Sequence, residues 1–155
     1  MTKRTGKTPD QVYKVEIDAT AQQVWGALIT PEFTRQYWFG SANISTDWKK
    51  GSKWEHVGEQ GTVHHTGEVL ESDPPRLLVI SWHNPGDKDD VSKVRFEIAE
   101  RGDAVELTVI HGDFIDGSPM ANRVVNGWPK VVANLKALIE QSGGVMQKSG
   151  CAEGC

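Results

Sequence analysis

The 155-residue chain lacks the features of a membrane, secreted or nucleic-acid-binding protein. Its apolar runs are only a few residues long, too short to span a bilayer. Residues 1–10 carry basic side chains but lack the apolar segment of a secretory signal. The net charge of −4 argues against a basic footprint for phosphate backbones. We therefore expect a cytoplasmic protein with no membrane span and no nucleic-acid partner.

Cysteine is nearly absent: Cys151 and Cys155 both lie in the last five residues. The body of the chain thus has no disulfide framework, which suits a reducing compartment. Alone, the two thiols would make an under-coordinated metal clip, so no metal and no cofactor is predicted. We expect a flexible lead-in over residues 1–11, a single domain over 12–142 and a flexible tail over 143–155.

The sequence pattern predicts a strand, two short helices and then an antiparallel sheet. Tyr13, Val15 and Ile17 alternate with polar residues, as in a half-buried strand. Two short helices follow, the second starting at Pro31 and ending near Gly40. Between residues 43 and 112, about six strands are separated by short turns, which indicates antiparallel pairing.

A long amphipathic helix is predicted near the end of the chain. Apolar residues recur at steps of three or four from Met120 to Ile139, with Val125 in the stripe. Ser118 suits the start of this helix, and Pro129 should kink or break it near residues 125–129. An apolar helix can cover one face of the sheet, so the fold class is α+β.

Several segments together resemble a known family. In chain order they are ATAQQVWGALITPEFTRQYWFG, KGSKWEH, GEVLESDPPRLLVISW, VRFEIAE, ELTVIHGDF and NGWPKVVANLKALIE, within about residues 12–142. This set resembles the activators of the ninety-kDa heat-shock-protein ATPase, in their homologue branch, within the START-like (SRPBCC) helix-grip superfamily. The resemblance implies a curved seven-stranded antiparallel sheet around a long C-terminal helix, with a cavity between them.

The resemblance also implies a function. Superfamily members bind lipids, sterols or polyketides in the cavity, so we expect a hydrophobic small molecule, lipid-like or polyketide-like, as the partner. The residues predicted to contact it are Tyr37, Phe39, Trp54, His56, His65, Trp82, Phe96, Phe114, Trp128, Val132 and Leu135. Tyr37 and Phe39 should flank the mouth of the cavity, while Trp38 should anchor the short helix to the sheet. Simple core packing is the alternative role for each ring.

The histidines raise a second possibility. Alternation puts His56 on the face of Trp54 and His65 on the face of Val69, so the two histidines are expected to meet across neighbouring strands. There they could orient a ligand carbonyl, act as a general base or hold a structural hydrogen bond. A metal site is not predicted, because no third ligand is suitably spaced.

Two other functions stay open at this stage. One is a cyclase-type or hydrolase-type enzyme that uses His56 or His65 as a base. The other is a co-chaperone or regulatory domain that binds a protein partner, although the co-chaperone members carry an extra N-terminal domain that ten leading residues cannot supply. Residues 86–90, GDKDD, are predicted to form a solvated loop. The loop around Asp113 is predicted to be mobile, with Phe114 as its apolar tip.

Overall fold

A computed structural model describes residues 8–142 and shows a seven-stranded sheet with four helices. The elements in chain order are β1 (Gln11–Ile17), α1 (Ala21–Ile29), α2 (Pro31–Tyr37), β2 (Ala42–Ser45), β3 (Lys53–Val57), β4 (Val63–Asp73), β5 (Leu77–Trp82), β6 (Ser92–Arg101), β7 (Ala104–Gly112), α3 (Pro119–Val124) and α4 (Trp128–Ser142). The predicted α+β class is confirmed.

The sheet is antiparallel throughout, with strand order β1-β7-β6-β5-β4-β3-β2. This confirms the predicted seven-stranded antiparallel sheet and leaves β1 and β2 at its edges. Register shifts interrupt the β3–β4 and β4–β5 pairs, and such bulges increase local twist. Close to both shifts, the backbone of Gly67 approaches Ser81 so tightly that an added Cβ would lie 2.0 Å from the Ser81 oxygen.

The core forms where one face of the sheet meets α4. Strand β6 buries every second residue, including Val94, Phe96 and Ile98, as its alternation predicts. Helix α4 buries the matching stripe, including Leu135 and Ile139. Each such side chain contributes roughly 1.5–3 kcal/mol by leaving water.

Both predicted short helices are present, and α2 ends at Tyr37, three residues before its predicted end near Gly40. Thr20 caps α1: its Oγ1 accepts from the Gln23 backbone N–H at 3.1 Å, and Gln23 Oε1 accepts from the Thr20 N–H at 2.8 Å. Helix α2 starts at Pro31. After it ends, Phe39 (φ +56°) and Gly40 (φ +92°) both adopt left-handed backbone conformations. Glycine adopts this region freely, whereas a bulky residue such as phenylalanine is strained there.

The break predicted near Pro129 is confirmed. Helix α3 ends at Val124, residues 125–127 form a turn, and α4 begins at Trp128. Pro129 lacks a backbone N–H and disfavours helical geometry at the preceding residue, which accounts for the position of the break. The turn rotates Val125 away from the sheet. Its side chain is 41% exposed, so its predicted place in the buried stripe is wrong.

Two loops differ from the sequence-based prediction. Asp90, expected in a solvated loop, is buried and accepts from Ser118 Oγ at 2.6 Å and from the Met120 N–H at 2.9 Å. It therefore caps α3 together with Ser118. Phe114, expected at a mobile tip, is buried and stacks on His111 with the ring centroids 4.7 Å apart.

At the N-terminal end of the described range, β1 begins at Gln11, one residue before the predicted domain boundary, and Thr8 Oγ1 donates to the Ile115 carbonyl at 3.1 Å. The predicted tail with Cys151 and Cys155 lies outside the described residues. Within residues 8–142, no helix is long and apolar enough to cross a membrane. The same range holds no group of three or more His, Cys, Asp or Glu side chains that could bind a metal ion.

Candidate functional site

A cluster of tryptophans and histidines lies where the bulged strands meet the helix break. We call it the aromatic cluster; its members are Trp38, Trp54, Trp82, Trp128, His56 and His65. Trp38 is central: its ring centroid lies 4.7 Å from that of His56, 5.2 Å from Trp128 and 5.9 Å from Trp82. These spacings are typical of favourable aromatic pairs.

The end of α2 decides which ring enters the cluster. Helical geometry stops at Tyr37, and Trp38 (φ −105°, ψ 34°) departs from it, so consecutive side chains point in different directions. Tyr37 is buried in the core, where its hydroxyl donates to the Ala27 carbonyl at 2.7 Å and burial raises its pKa. Phe39 is 64% exposed and lies in an outer groove beside Glu59. The expectation that Tyr37 and Phe39 flank a cavity mouth is therefore wrong.

The gap between sheet and α4 is nearly closed. It contains a void of about 20 Å³, room for roughly one water molecule. A cavity for a drug-sized ligand needs at least ~300 Å³. The ligand-sized cavity implied by the resemblance is thus filled by the protein's own side chains. Those around the void include the predicted residues Tyr37, Trp82, Phe96, Trp128, Val132 and Leu135.

A larger, half-open pocket of about 120 Å³ lies beside the α3–α4 turn. We call it the α3–α4 pocket; it is lined by Trp38, His65, Trp82, Arg123, Val124, Gly127 and Trp128. It therefore brings together three of the predicted residues. Arg123 and Val124 were not among the predicted ligand contacts; they lie at the end of α3, next to the turn that separates it from α4. Trp54, His56 and Phe114 line neither this pocket nor the void.

Two side chains that line this pocket each carry a buried polar atom without a hydrogen-bond partner. Among the described side chains, the buried nitrogen or oxygen atoms without a hydrogen bond are His65 Nδ1 and Trp82 Nε1. The other buried indoles of the cluster are satisfied: Trp54 Nε1 donates to the Ser81 carbonyl at 2.7 Å, and Trp128 Nε1 donates to His111 Nδ1 at 2.9 Å. Each unsatisfied atom costs about 1–3 kcal/mol. Buried groups of this kind mark a strained or functional site.

His56 and His65 meet across β3 and β4, as predicted: they are register partners with ring centroids 5.6 Å apart. His56 Nδ1 lies 2.6 Å from the amide oxygen of Asn43, so this ring nitrogen donates. Burial, with the nearby His65 and His64, lowers the pKa of His56 to about 3. Burial, with His64 and Arg123, lowers the pKa of His65 to about 4. Both rings are therefore neutral at pH 7.

His111 holds the start of α4 in place. It is buried and accepts from Trp128 through Nδ1, so its proton is on Nε2, which donates to Ser92 Oγ at 2.7 Å. Burial, with the nearby His65, lowers the pKa of His111 to about 3. His111 was not among the residues predicted to contact a ligand. Its alternation with the buried Leu107 and Val109 on β7 was the available signal.

The family can now be assigned. Residues 18–140 match the family model described as "Activator of Hsp90 ATPase homolog 1-like protein". The chain belongs to this family. The resemblance inferred from the ordered sequence segments is confirmed, and the matched range includes the aromatic cluster and the α3–α4 pocket.

Solved structures share this fold. Protein MLL2253 from Mesorhizobium loti is 19% identical, with a TM-score of 0.73 over 86% of this chain and 98% of that chain. PFC0360w, an HSP90 activator from Plasmodium falciparum, is 19% identical, with a TM-score of 0.70 over 84% and 95%. CalU16 from Micromonospora echinospora is 24% identical, with a TM-score of 0.68 over 91% and 83%. No curated protein matches the chain.

Proposed function

We propose that this family member binds a small aromatic or apolar molecule carrying a hydrogen-bonding group in the α3–α4 pocket. One observation carries the proposal. The pocket is walled by three tryptophans, and the unpartnered Nδ1 of His65 and Nε1 of Trp82 belong to side chains that line it. An apolar pocket with a few polar groups is the usual form of a ligand site.

The pocket volume limits the size of the ligand. About 120 Å³ is close to the volume of a cavity of about 150 Å³ that accepts benzene. The inner void of about 20 Å³ adds too little room for a second ring. A lipid-like or polyketide-like molecule would need the rings of the aromatic cluster to separate. A molecule with a single ring fits the closed arrangement, and the proposed ligand is narrower than the one expected from the sequence.

The two polar atoms define the chemistry of the ligand. An indole N–H only donates, so Trp82 Nε1 calls for an oxygen or nitrogen acceptor. His65 is neutral at pH 7 because its pKa is lowered to about 4, and it donates or accepts depending on its tautomer. Each hydrogen bond formed contributes a net 0.5–1.5 kcal/mol and removes the cost of an unsatisfied buried atom.

Chemical-shift titration of the full chain tests this proposal. A library of one-ring aromatic alcohols, amides and acids is added, and the indole N–H signals are followed. We expect shifts at Trp38, Trp82 and Trp128. The indole of Trp25 is the internal control, because this residue does not line the pocket.

Two matched variants locate the binding site. Val124 lines the pocket, whereas its neighbour Val125 does not. Val124→Phe should fill the pocket and abolish the shifts, while Val125→Phe should preserve them. If the library moves none of the three indoles in the unmodified protein, or if both variants bind equally, the proposed function is wrong.

Catalysis by the histidines has weaker support. An efficient general base has a pKa near the working pH. Burial lowers the pKa of His56 to about 3 and that of His65 to about 4, so both are poor bases at pH 7. Their environment suits hydrogen bonding to a ligand better than proton abstraction.

A second candidate function is binding of a protein partner through the α2–β2 region. Phe39 is 64% exposed in a strained backbone conformation, and Ile44 is 40% exposed on the edge strand β2. Family membership and the similarity to an HSP90 activator make a chaperone the partner to test. Biolayer interferometry with Hsp90 should show binding that Phe39→Ser weakens at least fivefold. Val12→Ser, on the opposite edge strand, is the control and should bind unchanged; equal loss in both variants would contradict this candidate.

A further inference from the structure

Arg123 gives the α3–α4 pocket a positive rim. It lies in the last turn of α3 and is exposed, and it is near enough to His65 to help lower the pKa of that histidine. The residues that line the pocket include no carboxylate. Within residues 8–142, Arg123 has neither an ion pair nor a side-chain hydrogen bond.

Of the four other arginines among residues 8–142, Arg35 also lacks an ion pair, whereas the remaining three have one. Three of them pair with a carboxylate on the surface: Arg76 with Asp73, Arg95 with Glu97, and Arg101 with Glu106. The chain as a whole is acidic, with a net charge of −4. Arg123 has no carboxylate partner and lies beside an apolar pocket, so it provides a local attraction for an anion at that place.

The groups around the pocket fit a carboxylate. Guanidinium matches the planar, two-oxygen geometry of a carboxylate better than an ammonium does. Trp82 Nε1 supplies an N–H donor, and so does His65 Nδ1 in the tautomer protonated at that atom. Carboxylate oxygens only accept, so each of these groups is a suitable donor to such a ligand.

The apolar walls fit one aromatic ring. Trp38, Trp82 and Trp128 present ring faces and edges to a space of about 120 Å³. Resting on the ligand-binding function proposed above, we propose that the ligand is a small aromatic monocarboxylate of the benzoate class. Its ring packs against the three tryptophans that line the pocket, and its carboxylate pairs with Arg123.

Binding of benzoate and its neutral analogue benzyl alcohol tests the proposal. Titrations of the full chain at pH 7.5 are followed by tryptophan fluorescence and by the three indole signals. We expect benzoate to bind at least tenfold more tightly than benzyl alcohol. Arg123→Gln should remove that preference while leaving the affinity for benzyl alcohol unchanged, and Arg123→Lys should restore part of it. Arg35→Gln, an exposed arginine on α2 that does not line the pocket, is the matched control and should keep the full preference.

Each result separates this inference from the proposed function. If benzyl alcohol binds as tightly as benzoate, or if the preference persists in Arg123→Gln, the anionic class is wrong while one-ring binding stands. If neither compound nor any other member of the library binds, the proposed function fails and the inference fails with it. Circular dichroism of each variant checks that the exposed substitutions leave the fold intact.

Discussion

Two buried histidines, His56 and His111, and the half-buried His65 should make this domain sensitive to mild acid. The pKa values of His56 and His111 are lowered from 6.5 to about 3, mainly by burial, and that of His65 to about 4. In the unfolded chain each ring would take up a proton near pH 6.5, whereas the folded protein resists protonation until its lowered pKa is reached. The stability that depends on these neutral rings is therefore complete above pH 6.5 and is lost as the pH falls below it.

The magnitude follows from the size of the shift. A pH of 5 lies 1.5 units below the unfolded-state pKa of 6.5, and one unit is worth about 1.4 kcal/mol. Each of the two buried histidines, His56 and His111, therefore lowers the free energy of unfolding by about 2 kcal/mol at this pH. His56 and His111 together cost about 4 kcal/mol, and the less buried His65 adds to this. Typical domains are stable by about 5–15 kcal/mol. The expected loss is therefore a large share of the total.

Urea unfolding at pH 7.5 and pH 5.0, followed by tryptophan fluorescence at constant ionic strength, measures this loss. The range stays above the ordinary pKa values of the carboxylates, which keeps their contribution small. The double variant His56→Gln/His111→Gln should show most of the pH dependence removed. His64→Gln is the matched control, because His64 lies next to His65 but is exposed.

A clear result would refute the reasoning. If the free energy of unfolding of the unmodified protein changes by less than about 1 kcal/mol between the two pH values, the histidines are not neutral because of burial. If the double variant and the control keep the same pH dependence, another group is responsible for it.

Other predictions concern single contacts, measured by the free energy of unfolding in urea. Gly67→Ala should destabilise the domain by about 1–3 kcal/mol or more, because its Cβ would meet the Ser81 carbonyl. Gly26→Ala in α1, where nothing lies within 4 Å of the added Cβ, should stabilise the domain by about 0.5–1 kcal/mol. Unchanged stability in both variants would contradict the close approach of Gly67 to the Ser81 carbonyl. Asp90→Ala should cost about 1–3 kcal/mol by leaving two buried donors at the start of α3 unpaired. Trp128→Phe should cost at least about 1 kcal/mol through the lost bond to His111; an equal effect in Trp25→Phe would show that ring size alone matters.

The order of elements was predictable because local patterns agree with the fold. Alternation on β1, Pro31 at the start of α2 and the proline near the start of α4 all act through the backbone, and all led to confirmed predictions. The break at Pro129 was predictable for the same reason, since a missing N–H acts within a few residues.

The details of the site were not predictable to the same degree. Which of Tyr37, Trp38 and Phe39 enters the aromatic cluster depends on where α2 ends, and a shift of one residue exchanges their directions. Asp90 lies in a run of polar residues, and its burial depends on α3, which follows it by about 30 positions in the chain. Arg123 lies beside the pocket near the end of α3, just before the turn that separates α3 from α4. These three outcomes depend on tertiary packing, which no local pattern encodes.

Under the proposed function, Pro129 fixes the position of the α3–α4 pocket through the backbone, whereas the side chains that line the pocket determine which ligand it accepts. The interruption it causes belongs to the main chain, so it persists when neighbouring side chains are exchanged. Substitutions at Arg123 or Val124 would then change which ligand binds without moving the α3–α4 pocket. A change of ligand would then need only a few substitutions in the pocket wall, whereas a change in the position of the pocket would need a different backbone.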